Sequence, residues 1–136
     1  MSQENVELAQ RGLDALNRGG VDAVIDLCDP EVEWIAIPGF LPDAEDFHGH
    51  AGVRAWFEKV SESLGETHWE AEEITDGGDR LLVALKLRAS GRASGIEGEF
   101  RIFQAWTIRN GKLVRLESYL SRDEALEAAG CGSRDR

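Results

Sequence analysis

Apolar residues recur every three or four positions through the opening of the chain, at Val6, Ala9, Leu13 and Leu16. That spacing predicts an amphipathic helix, with Ser2 to cap it, Glu4 and Glu7 in its opening turns, and Arg18-Gly19-Gly20 to stop it. A shorter helix is expected next, carrying Val21, Val24, Ile25 and Cys28 on one face and ending at Asp29-Pro30. From Glu31 to Ile37 the period falls to two, which predicts a strand with Val32, Trp34 and Ala36 on one side and Glu33, Ile35 and Ile37 on the other. Pro38-Gly39-Phe40-Leu41-Pro42 then breaks regular structure and leads into an acidic loop through Asp46, placed to act as a rim or lid. A third helix opens near Gly49-His50, with Val53, Trp56, Phe57, Val60 and Leu64 on one stripe and Gly65 closing it.

Beyond Thr67 the period is two throughout, and strands are expected near 67–75, 80–90, 97–108 and 112–120, the first pair joined at Asp76-Gly77-Gly78-Asp79. In the last hairpin, Arg109-Asn110-Gly111 reads as a three-residue loop pairing position 108 with 112. That register puts Ile102, Gln104, Trp106 and Ile108 on one face with Val114, Leu116, Ser118 and Leu120. The other face carries Arg101, Phe103, Ala105, Thr107, Leu113, Arg115, Glu117 and Tyr119, a mixed surface suited to an isologous homodimer. A slip of one residue would exchange the two faces, so every inward assignment on these strands rests on this turn. Ser121 and Glu124 form a capping box for a short terminal helix bearing Ala125 and Leu126, and residues 130–136 read as a disordered tail.

With 136 residues and 42% hydrophobic content, the chain suits one domain, taken as residues 1–129, and one core. Acidic residues outnumber basic ones 26 to 15, for a net charge of -11. Such a field repels phosphate backbones and anionic bilayers, so neither nucleic acid nor membrane is an expected partner. The polar start MSQENVELAQ resembles no secretion leader, and no stretch approaches the roughly 20 apolar residues of a membrane span; a cytoplasmic location is the expectation. Cys28 and Cys131 have no second Cys or His at metal-ligand spacing, so they read as a core thiol and a tail thiol, and neither metal nor cofactor is expected.

Two helices, a strand, a third helix and four meandering strands form an α+β order in which helices can close the concave side of a strongly curved sheet. Phe47-His48-Gly49-His50-Ala51-Gly52-Val53-Arg54-Ala55-Trp56-Phe57 is similar to the opening of the third helix in the bacterial SnoaL-like branch of the nuclear transport factor 2-like superfamily. Trp106-Thr107-Ile108-Arg109-Asn110-Gly111-Lys112-Leu113-Val114 is similar to that family's penultimate hairpin, and Tyr119 and a short helix follow. The resemblance spans nearly the whole chain. It implies a cone-shaped sheet and a fold shared by steroid isomerases, epoxide hydrolases, polyketide cyclases and proteins that only bind or associate, so the site has to decide the chemistry.

The enzyme sets that the resemblance implies are incomplete. The isomerase base position falls on the first strand, which offers Trp34 and Ala36, and the first helix has no tyrosine. The hydrolase Asp-Arg-Asp positions match Leu85, Leu87 and Ser118, while the cyclase acid and histidine match Ser118 and Gln104. A serine of ordinary pKa does not replace a carboxylic acid as proton donor.

The residues left as candidates for binding a small hydrophobic molecule are Trp34, Trp56, Leu85, Leu87, Gln104, Trp106 and Ser118. The tryptophans either stack on a flat ligand or simply pack the core. Gln104 and Ser118 either bond each other across the hairpin or meet a ligand. His48 is the weak catalytic candidate, a general base beside Asp43, Glu45 and Asp46 or else a residue packing at the helix start; His50 and His68 are weaker still. Three functions therefore stand side by side: a small-molecule binder, a cofactor-independent isomerase, cyclase or hydratase using His48, and a dimeric interaction domain with a vestigial pocket.

Overall fold

The computed structural model describes residues 2–35, 47–77, 80–89 and 98–129. The expected acidic loop with Asp43, Glu45 and Asp46, together with Ala36, Ile37 and the tail, lies outside them. The first helix, α1 (Ser2–Gly19), and the short α2 (Val21–Ile25) make the expected hairpin, broken at Gly20, whose φ of 89° suits glycine. Near the end of α1 the Asn17 side chain leaves the helix for the sheet. Its Nδ2 donates to the Trp69 carbonyl at 2.7 Å, and its Oδ1 accepts from the Trp69 N–H at 3.0 Å.

The first strand, β1 (Cys28–Ile35), starts earlier than alternation suggested, and Cys28 belongs to it instead of the α2 stripe. The cause is a distant partner: β1 runs parallel to β6 (Lys112–Tyr119), with Cys28 opposite Leu113 and the Leu113 N–H donating to the Leu27 carbonyl at 2.9 Å. The register shifts between Cys28 and Glu33, the stretch that holds Pro30, as expected where proline cannot donate to a ladder. A two-residue strand, β2 (Phe47–His48), pairs antiparallel with β1 and leads directly into α3 (Gly49–Leu64). It was not foreseen, since two residues carry no period.

The remaining strands are β3 (Thr67–Asp76), β4 (Arg80–Ala89) and β5 (Gly98–Arg109), and the chain ends its described part in α4 (Arg122–Ala129). All six strands join in one curled mixed sheet of order β2-β1-β6-β5-β4-β3. Helices α1, α2 and α3 pack on one face, where Val32, Val53, Leu81, Val83 and Leu87 are fully buried. None of the described helices is long and apolar enough to cross a membrane.

The last hairpin corrects one expectation in a way that matters for the site. Asn110 and Gly111 both have positive φ, 54° and 76°, the signature of a two-residue turn of type I′. Arg109 therefore pairs with Lys112 and Ile108 with Leu113, where the sequence suggested 108 with 112. A bulge between Thr107 and Ile108 then restores the parity, so that Trp106 faces Leu116 and Gln104 faces Ser118. The faces survive with two exceptions. Leu113 turns inward and is buried, where Val114 was expected, and Leu120 is 60% exposed beyond the strand end.

The outer face of β5 and β6, read from sequence as a dimer surface, is partly occupied by the chain itself. Helix α4 lies on it and buries Leu82, Ala105 and Ala125 in a small second cluster flanked by Phe103, Tyr119 and Leu126. The expected capping residue starts the helix, with the Glu124 N–H donating to Ser121 Oγ at 3.4 Å. Arg122 pins α4 to β3 through bonds of 2.7 and 3.2 Å to Glu73.

Candidate functional site

Between the sheet and the three helices lies an apolar cavity of about 40 Å³. Strands β1, β4, β5 and β6 supply Trp34, Leu85, Gln104, Trp106 and Leu116 to its wall, α1 supplies Leu8, Leu13 and Leu16, and α3 supplies Trp56 and Phe57. Five of the seven residues proposed from the sequence thus meet on one cavity. Leu87 is buried in the same core without reaching the wall, and Ser118 stands behind Gln104.

The sequence reading missed Trp69, Phe57, and the α1 and α2 side chains. Trp69 is the informative omission. The sequence reading gave it no role, yet it is buried, its backbone gripped by Asn17 and its indole N–H donating to Thr67 Oγ1 at 3.1 Å. The Asn17 amide takes the place of a further strand at that residue of edge strand β3, a nonlocal device with no sequence period.

The aromatic wall is continuous. Trp34 and Trp56 lie 5.6 Å apart between ring centroids, Phe57 meets Trp56 edge-on at 4.9 Å, and Trp69 closes the row 6.1 Å from Trp56. Such tilted and edge-to-face pairs suit the ring quadrupoles and add to the area that each ring buries. The tryptophans therefore both pack the core and shape the cavity, and their bulk limits its volume.

Polar chemistry on the wall is sparse. Gln104 Oε1 accepts from the Trp106 indole N–H at 2.8 Å, and its Nε2 donates toward Ser118 Oγ at 3.4 Å. Because an indole only donates, the first contact fixes which end of the Gln104 amide is oxygen. Trp34 Nε1 differs: the residue is 3% exposed, and this N–H has no hydrogen-bond partner among the described residues. No titratable side chain lines the cavity among those residues.

The histidines lie elsewhere. His48 is at the outer edge of the sheet, about two-thirds exposed, with Nε2 3.1 Å from a Glu31 carboxylate oxygen. It precedes α3 without capping it through its side chain. His50 Nε2 lies 3.0 Å from the Cys28 carbonyl, and His68 is exposed on β3. The Cys28 thiol is buried, and burial pushes its pKa up to about 12, which makes it a poor nucleophile at neutral pH.

A helix-covered, curled mixed sheet around an apolar cavity defines a small α+β domain of the nuclear transport factor 2-like class. The SnoaL-like domain model matches residues 9–116, and the chain belongs to that family. No match is found among curated proteins. Among solved structures, a nuclear transport factor 2-like protein of unknown function from Burkholderia pseudomallei K96243 superposes with a TM-score of 0.76 at 21% identity, covering 91% of this chain and 95% of that one. TerC, crystallised with polyporic acid, gives 0.76 at 22% identity over 93% and 98% of the two chains. A protein described as a SnoaL-like polyketide cyclase from Jannaschia sp. CCS1 gives 0.69 at 17% identity over 87% and 85%. At these identities the likeness establishes the fold.

Proposed function

We propose that this SnoaL-like domain binds a small, uncharged, hydrophobic molecule in the cavity beneath Trp34 and Trp106. The observation that carries the reading is the wall itself: apolar and aromatic around a single amide, with no titratable group among the described residues. A charge brought into such surroundings loses its hydration without gaining a partner, which costs several kcal/mol, so the site selects neutral ligands. The relative crystallised with polyporic acid and the one described as a polyketide cyclase support a small-molecule role for the fold.

The enzymatic alternative drew on His48, which is exposed, paired with Glu31 and absent from the cavity wall. The binding reading is therefore the one the geometry favours. Its test is titration of the chain with small neutral hydrophobic compounds, with xenon as a purely apolar probe, followed by tryptophan fluorescence and side-chain NMR. Saturable changes at Trp34, Trp56 and Trp106, suppressed by the cavity-filling variant Leu13→Phe, are the expected result. Failure of every probe to perturb these rings would reject the reading and leave the interaction domain with a vestigial pocket in front.

A further inference from the structure

Resting on that reading, we infer that the ligand presents an uncharged oxygen acceptor to the indole N–H of Trp34. A buried donor without a partner costs about 1–3 kcal/mol, and folded proteins leave few of them. Trp34 Nε1 is such a donor, on an indole ring that lines the cavity just described. The other polar groups of the wall do not relieve it. Gln104 Oε1 is engaged by Trp106, Gln104 Nε2 is itself a donor, and Trp69 bonds Thr67.

The chemistry of the missing partner follows by elimination. It must accept, because an indole N–H only donates. It must be neutral, because no cation lines the cavity among the described residues to balance a carboxylate or phosphate. It must sit on a compact apolar body, because the centre of a water-sized group has only about 40 Å³ to move in and its surroundings are leucines and aromatic rings. A small ketone, lactone or ether meets all three conditions, whereas a hydrocarbon of the same shape meets only the last.

Butanone and its methylene isostere 2-methylbut-1-ene separate shape from hydrogen bonding, since the oxygen of one is a CH₂ in the other. Titration of the full chain, followed by the NMR signals of the indole N–H groups, should show butanone binding about three- to tenfold tighter than the alkene, the range of one net hydrogen bond. The Trp34 N–H signal should move downfield with the ketone alone. In Trp34→Phe the preference should vanish while both compounds still bind.

Equal affinities with an unmoved Trp34 N–H signal would overturn the inference while leaving the cavity as a hydrophobic site, its indole served by water. Binding of neither compound, or of xenon, would reject the site and the inference together. The wild-type signal decides the matter even if Trp34→Phe does not fold.

Discussion

Gly52 shows how one missing methyl positions an element. A Cβ there would lie 3.0 Å from Phe47 Cβ and 3.1 Å from the Phe47 carbonyl carbon, tighter than most side-chain contacts and with backbone on the other side. Gly49 is constrained differently, by a φ of 74° and by the Pro30 carbonyl 3.2 Å from where its Cβ would be. The Phe47-to-Phe57 run is thus a packing motif: glycines let α3 start directly off β2, so that Trp56 and Phe57 reach the cavity. Gly52→Ala is expected to destabilise the protein by about 1–3 kcal/mol, despite alanine's better helix propensity, and a chemical denaturation midpoint would show it. An unchanged or raised midpoint would mean that the Phe47 backbone yields more easily than this geometry implies.

Among the elements, α4 is tied to the sheet by a charged contact. The Glu73 carboxyl is held below its ordinary range, first by the hydrogen bond from Arg122, against partial burial and with help from Thr75. A carboxylate whose folded pKa is depressed contributes stability above its unfolded pKa and loses it as pH falls through the folded value. Amide exchange in α4 should therefore accelerate, relative to α1, as the pH drops below the ordinary carboxylate range. Glu73→Gln should remove most of that pH dependence; a variant with the same acid response as wild type would place the titrating group elsewhere. Because both partners sit largely in solvent, the effect should be small and shrink with added salt.

At the scale of the molecule, the outer sheet face is shared between α4 and whatever else approaches it. Beside α4, Arg115 is paired with Glu33 on β1 and with Glu117 at 3.2 Å on its own strand, and Arg101 reaches Glu72 at 3.2 Å. A homodimer through this face, the expectation from sequence, would have to use that charged strip and not the apolar patch already covered. It should then appear in native mass spectrometry and weaken in Arg115→Glu or high salt. A monomer under all conditions would leave the face solvated.

The periods of three to four and of two were enough to predict α1, α3 and β3 to β6 close to their observed limits, because each carries a repeating contact with one core. They also put Trp34, Gln104 and Trp106 on one inward face, since parity survives a register error of two. What local pattern does not carry are contacts made across the chain. The parallel pairing that pulls Cys28 into β1, the type I′ turn with its compensating bulge, the Asn17 clamp on Trp69 and the seat of α4 each depend on a partner far away in sequence or on backbone angles with no period. The lone donor at Trp34 belongs with them. Sequence alone names an indole, and only the packing around it decides whether its N–H meets a partner, as Trp106 and Trp69 do, or meets none among the described residues, as at Trp34.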